Sequence, residues 1–226
     1  MSTIKKSNSR ELNATGENGR LMKQSVLYLL LLLLHGIVAC GQHGNYADEI
    51  AQHREHYKQE FLEDERSPLS AKDTANLRFF APDERYKVTA KVILTPEAES
   101  FDMPTVSGKT KKYRQYAWLT FNIRDTAVRI QVFQSLKLME DPKYKDHLFV
   151  PFTDGTTYTE TYGGGRYLDL SLQDIHNGMV LLDFNKCYNP WCAYASGYSC
   201  PIPPPENRMP VSIRAGEMNY AGATGH

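Results

Sequence analysis

The sequence predicts a mainly β protein, an antiparallel barrel or sandwich, with one N-terminal amphipathic helix. Apolar and polar residues alternate with a period of two in several segments after Tyr86, turn signals separate these segments, and helical spacing is clear only once. About eight short strands joined by turns are typical of barrels and sandwiches.

The helix is predicted from Asn45 to about Asp64. Four apolar residues recur at helical spacing among charged ones, namely Tyr46, Ile50, Tyr57 and Phe61. Asn45 followed by Asp48 suits a capping start, and after the helix Ser70 and Asp73 are placed to cap a short turn.

The strands are predicted from alternation and turn residues. The predicted segments are 86–94, 117–123, 128–132, 148–152, 156–162, 167–172, 179–184 and 211–214. The pairs Asp154-Gly155 and Asn177-Gly178 are turn signals between them.

The N-terminal segment predicts export and lipid attachment. Residues 22–39 combine a short basic start, a nine-residue apolar core and a small-residue cleavage box before Cys40, the pattern of a secretory signal. The box resembles the lipobox of bacterial lipoproteins, in which Cys40 is lipidated. The apolar run is shorter than the roughly 20 residues that a membrane span requires. Residues 1–21 are then interpreted as an over-extended start of translation, and residues 40–226 as a single β-rich domain.

This reading predicts a protein of the bacterial cell envelope, anchored to the membrane through Cys40 and facing outside the cytoplasm. The 187 residues from Cys40 onward carry 21 basic and 24 acidic side chains, with no long basic run. Such a balance argues against nucleic acid as a partner.

Three motifs resemble a known family. They are YGGGRYLDL at 162–170, LDFNKCYNPWCAY at 182–194 and YSCPIPPPENRMPVSIRAGE at 198–217. These segments look like the DUF1684 family of bacterial and archaeal proteins, and the resemblance extends over roughly 46–217. It implies a discrete folded domain and supplies no reaction.

The loop from Asp183 to Asn207 is rich in cysteine, tyrosine, asparagine and proline. With Cys40 lipidated, three cysteines remain, and a bridge between Cys192 and Cys200 is the favoured interpretation. A metal site and a nucleophilic thiolate activated by His147 or His176 are the alternatives. No metal or cofactor is predicted.

Two hypotheses follow for function. The first is a binding or structural module for a small polar or anionic ligand, with the GGGR turn forming an anion nest or only a tight turn. The candidate ligand-binding residues are Arg166, Tyr167, Asn185, Tyr188, Trp191 and Asn207. The second is an envelope hydrolase that uses Asp183 or Glu160 with Arg166 and Asn185. The candidate catalytic carboxylates are Glu160, Asp183 and Glu217.

Overall fold

The computed structural model describes residues 45–224, so the predicted signal segment and Cys40 lie outside the described residues. Helix α1 (Tyr46–Glu63) begins after Asn45, whose side chain accepts a 3.2 Å hydrogen bond from the amide of Ala47. Helix α2 (Ala71–Thr74) has the predicted cap, because the amide of Ser70 donates to Asp73 at 3.0 Å. A third short helix, α3 (Leu136–Met139), follows later in the chain. Within 45–224, no helix combines the length and apolarity needed to cross a membrane.

Seven strands form one antiparallel sheet, which confirms the predicted fold class. The strands are β1 (Lys87–Leu94), β2 (Ser100–Pro104), β3 (Thr110–Ile123), β4 (Thr126–Ser135), β5 (His147–Phe152), β6 (Arg166–Ser171) and β7 (Met179–Asp183). Their order is β6-β5-β4-β3-β1-β7, and β2 pairs with the first half of β3. The sheet curls into a half-barrel whose two ends are β6 and β7.

The main core lies on one face of this sheet, because strand side chains point alternately to opposite faces. Its centre is formed by apolar residues with at most 1% exposure, among them Ala90, Leu119, Ile130, Val150 and Leu182. Full burial of each large apolar side chain contributes roughly 1.5–3 kcal/mol.

The second half of helix α1 packs on a second apolar cluster, which is separate from the main core. Phe61 of α1 joins Leu69, Leu77, Ala193 and Tyr194 in that cluster. The last two residues belong to the cysteine-rich loop, so this loop is the platform on which the second half of the helix rests.

Two predicted strands are wrong, and one strand was not predicted. Residues 156–162 form turns, because the carboxylate of Asp154 binds both the amide and the hydroxyl of Thr156 at 2.6 Å and Tyr158 adopts a positive φ of 72°. Residues 211–214 form no strand, and the carbonyl of Ile213 is bound instead by a side chain, Arg166. Strand β2 escaped prediction because it is short, largely exposed and ends in Pro104.

Candidate functional site

An open groove lies where the sheet does not close. Strands β6 and β7 end the strand order, and within residues 45–224 no ladder joins them. Just beyond β7, the backbones of Tyr167 and Tyr188 exchange two hydrogen bonds of 2.9 and 3.0 Å. This pair closes one end of the gap, and helix α1 forms a wall of the same groove.

The start of α1 is attached beside the groove by polar contacts. The hydroxyl of Tyr46 donates to Asp183 at 2.8 Å, and Lys186 pairs with Glu49 at 2.8 Å. Lys87 of β1 approaches the same Glu49 at 3.5 Å. Asp183 ends β7 and caps the following 3-10 turn by accepting from the amide of Asn185, and the same carboxylate oxygen accepts from Tyr46 of the helix.

The second half of α1 is attached by aromatic rings. The ring centroids of Tyr57 and Tyr188 lie 5.8 Å apart, and those of Phe61 and Trp191 lie 6.5 Å apart. All four residues line the groove. The contacts that attach the helix therefore change from polar to aromatic along its length.

The groove has a volume of about 1230 Å³ and a mixed lining. Its aromatic residues are Tyr57, Phe61, Tyr144, Tyr188 and Trp191. Its carboxylates are Glu49, Glu60, Glu63, Asp64, Glu65, Asp169, Asp174 and Asp183. Its lysines, arginine and histidines are Lys87, Lys143, Lys186, Arg66, His53, His56 and His176, and three leucines complete the wall.

Asp183 has an asymmetric set of hydrogen bonds. Its Oδ1 accepts from the Tyr46 hydroxyl and from the backbone and side-chain N–H groups of Asn185, at 2.8, 3.1 and 3.0 Å. Its Oδ2 is buried without a hydrogen-bond partner among the described residues, although the whole residue is only 6% exposed. A buried carboxylate oxygen without a donor is costly, so Oδ2 of Asp183 is an acceptor with unused hydrogen-bonding capacity.

His53 was not predicted as a site residue, yet it lies in the groove wall beside Asp183. Burial lowers the pKa of His53, the charge of Lys186 lowers it further, and Asp183 partly opposes these effects. Burial therefore disfavours the charged imidazolium form of His53. A signal was available, because His53 follows Tyr46 by seven residues and precedes Tyr57 by four, on the apolar stripe of the predicted helix.

Asp169 was also missed. It accepts a 2.6 Å hydrogen bond from the Tyr188 hydroxyl and pairs with Nε2 of His147 at 3.0 Å. Burial, together with the charge of Asp169, raises the pKa of Tyr188 well above its usual value, so the phenol remains a donor. Alternation along β6 is the signal that could have found Asp169, since it places this residue on the outer face.

Arg166, the predicted anion-binding residue, is 1% exposed and is used inside the fold. Its Nη2 pairs with Asp154 at 2.6 Å and donates to the carbonyl of Ile213 at 2.7 Å. Its Nη1 donates to the carbonyls of Ala215 and Glu217. Arg166 therefore holds the C-terminal segment and does not reach the groove lining.

The other two candidate carboxylates also have separate partners. Glu160 pairs with Arg214 at 2.9 Å on the surface. Glu217 is fully buried and accepts from the Tyr194 and Tyr57 hydroxyls at 2.7 and 3.1 Å and from the Asn189 amide at 2.8 Å. Burial raises the pKa of Glu217 to about 7, against the lowering effect of these donors. The three predicted carboxylates do not meet in one pocket.

Three predicted ligand-binding residues also lie outside the groove lining. Asn185 exchanges hydrogen bonds of 2.9 Å with the backbone of Asp83. Asn207 binds the backbone of Gln131 at 2.6 and 2.8 Å and the carbonyl of Pro151 at 2.7 Å, so it bridges β4 and β5 where their pairing is sparse. The remaining one is Tyr167, whose hydroxyl donates to a loop carbonyl. Of the nine predicted site residues, Asp183, Tyr188 and Trp191 are the ones that line the groove.

The predicted disulfide between Cys192 and Cys200 is present. Both sulfur atoms are committed to this bond, which leaves neither as a nucleophile or metal ligand. Cys187 is a free, buried thiol, and burial raises its pKa to about 11. Among residues 45–224, no group of three or more His, Cys, Asp or Glu side chains is arranged to hold a metal ion.

Comparison with known proteins gives a family and a fold. A family profile described as "Protein of unknown function (DUF1684)" matches residues 72–218. The chain is also similar to an uncharacterised protein of Haloarcula marismortui with a solution NMR structure. The identity is 32%, the TM-score is 0.59, and the match covers 76% of this chain and 92% of that one. None of the proteins with curated descriptions matches the chain.

Proposed function

The chain belongs to the DUF1684 family, and from this premise we propose that it is a lipid-anchored envelope protein that binds a small polar ligand in the groove between α1 and the β6–β7 gap. The observation that carries the binding proposal is the groove itself. It is the place where predicted residues Asp183, Tyr188 and Trp191 come together with polar side chains that sequence reasoning missed.

The lining suits a polar small molecule. Binding sites are concave, contain aromatic and apolar surface and place a few polar groups to orient the ligand. Here the rings of Tyr57 and Tyr188 supply the surface, and Asp183 supplies an acceptor that lacks a donor among the described residues. At about 1230 Å³, the groove exceeds the usual few hundred to 1,000 Å³ of ligand pockets, so a small molecule fills only part of it.

The hydrolase hypothesis receives no such support. Hydrolysis by paired carboxylates requires two acidic groups that face one bond. Glu160 faces Arg214, and Glu217 faces the hydroxyls of two tyrosines, so Asp183 is the one of the three predicted carboxylates that lines the groove. The geometry therefore favours binding over catalysis by this set.

The envelope proposal rests on the signal-like residues 22–39 and the lipobox before Cys40. The disulfide between Cys192 and Cys200 is compatible with it, because disulfides persist mainly in oxidising compartments. The expected result for Cys40→Ser is release from the membrane fraction. If the variant remains in the membrane pellet, lipid attachment at Cys40 is refuted.

Thermal-shift screening of small polar compounds tests the binding proposal. Two matched variants are compared with the unmodified protein. Leu181→Trp adds an indole to the groove wall, whereas Leu94→Trp adds one to β1 outside the lining; the two leucines are 49% and 56% exposed. Compounds that bind in the groove should raise the melting temperature of the unmodified protein and of Leu94→Trp, and should lose this effect in Leu181→Trp.

Two results would contradict the proposal. A screen without any stabilising compound favours a purely structural domain. Compounds that stabilise both tryptophan variants equally bind somewhere else on the surface. Melting temperatures without ligand provide the control for folding, since both substitutions are at exposed positions.

A further inference from the structure

We propose that the groove selects ligands that carry a protonated amine; this inference rests on the proposed binding function and specifies its ligand class. The first observation is charge. Eight carboxylates line the groove against four lysine or arginine side chains. A cleft lined by excess charge of one sign attracts ligands of the opposite sign.

The basic side chains of the lining are already engaged. Lys186 lies 2.8 Å and Lys87 3.5 Å from the same carboxylate, Glu49. Arg66 binds both oxygens of Asp64 at 3.1 and 2.8 Å. Lys143 places its ammonium 5.0 Å from the ring centroid of Tyr144. An anionic ligand would have to compete for these groups, and this cost works against anions.

Some carboxylates of the groove, by contrast, form no ion pair within the described part of the chain. Glu63 and Glu65 line the groove, and the ion pairs of residues 45–224 include neither of them. The stronger indication is Asp183, which is 6% exposed and has an Oδ2 without a partner among the described residues. An ammonium group brings three N–H donors and a charge, which match what this oxygen lacks.

The surroundings of Asp183 favour a cation in two further ways. Burial and the charge of Lys186 lower the pKa of the neighbouring His53, which disfavours a positive charge on this histidine. The rings of Tyr57 and Tyr188 line the next part of the groove. Aromatic faces attract ammonium groups within about 6 Å of the ring centroid.

Isothermal titration with three four-carbon probes tests the ligand class. 1,4-Diaminobutane, 1,4-butanediol and succinate have the same chain length and carry ammonium, hydroxyl and carboxylate ends. The purified full-length protein in a nonionic detergent is titrated at constant ionic strength. We expect the diamine to bind at least about tenfold more tightly than the diol or succinate, and Asp183→Asn to weaken diamine binding by about tenfold.

Asp102→Asn is the matched control, because it removes a carboxylate on β2 that is paired with Lys112 and lies outside the groove lining. It should leave diamine binding unchanged. If the diol or succinate binds as tightly as the diamine and Leu181→Trp abolishes this binding, the amine inference is wrong and the binding function stands. If the diamine does not bind, or binds equally to Asp183→Asn, the amine inference is also wrong, and the compound screen decides the binding function separately.

Discussion

Two polar regions of this protein, the Arg166 cluster and the groove at Asp183, differ in how their charges are satisfied. In the Arg166 cluster, the guanidinium meets Asp154 and three backbone carbonyls, and arginine and aspartate side chains are 1% and 0% exposed. In the groove, Asp183 takes all its hydrogen bonds on one oxygen and has none on the other among the described residues. Arg166 follows three glycines in the sequence, but its hydrogen bonds are all made inside the fold. Asp183 keeps an acceptor oxygen to which no described residue donates, and this difference is what distinguishes the groove as the candidate site.

Removing Arg166 should have the largest effect on stability. Arg166→Met leaves Asp154 buried without its cation, and breaking a buried pair in this way costs about 3–5 kcal/mol. Urea unfolding measures the change. The control is Arg214→Met, which breaks the exposed pair with Glu160 and should cost less than about 1 kcal/mol. If the two variants lost the same free energy of unfolding, the buried Arg166 pair would contribute no more to stability than the exposed pair of Arg214.

The pH dependence of stability should report Glu217. Its pKa is raised from 4.5 to about 7 in the folded protein, so the folded state binds the proton more tightly than the unfolded state. The resulting stabilisation is full below pH 4.5 and is lost as the pH rises through 7, by up to about 3 kcal/mol. Glu217→Gln should flatten this part of the profile in urea unfolding between pH 4 and 8, whereas Glu160→Gln, at a partly exposed surface position, should not. A profile unchanged in Glu217→Gln would contradict the raised pKa.

The disulfide should matter for both regions, because its loop carries Tyr194 against Glu217 and Trp191 in the groove wall. Replacing Cys192 and Cys200 by alanine should destabilise the fold by about 2.5 kcal/mol, from the loop-closure entropy of a nine-residue loop. A reducing agent should lower the melting temperature of the unmodified protein and leave the double variant unchanged. If neither the double substitution nor the reducing agent changed the stability, the predicted contribution of the disulfide to the free energy of unfolding would be wrong.

The hydrogen bond from Tyr46 to Asp183 beside the groove should contribute least to the free energy of unfolding. Tyr46→Phe removes the 2.8 Å bond from α1 to Asp183 and should cost about 1 kcal/mol, because Oδ1 of Asp183 keeps its two donors from Asn185. The control is Tyr158→Phe at an 84% exposed position, for which no measurable change in unfolding is expected. A loss of several kcal/mol in Tyr46→Phe would mean that the groove is as closed as the Arg166 cluster.

Local sequence patterns were sufficient for most of the fold. The helix beginning after Asn45, the Ser70–Asp73 cap and most strands followed from periodicity and capping residues. Prediction failed at 156–162, where the Asp154 carboxylate captures the Thr156 amide and hydroxyl and so forms turns from residues that favour strands. Side chains that hydrogen-bond to nearby backbone can override strand propensity. The threonine pattern alone does not reveal that such hydrogen bonds form.

By itself, the sequence determined the β class and the N-terminal helix, because period and caps are local properties, and it favoured the pairing of Cys192 with Cys200 that the structure shows. Only the tertiary structure decided which of the candidate carboxylates lines the groove. Tyr46 reaches Asp183 across 137 residues, and Arg166 binds the carbonyl of Ile213 across 47. Contacts at such separations depend on how β7 pairs with β1 and how the C-terminal segment returns to β6, and no local pattern contains that information.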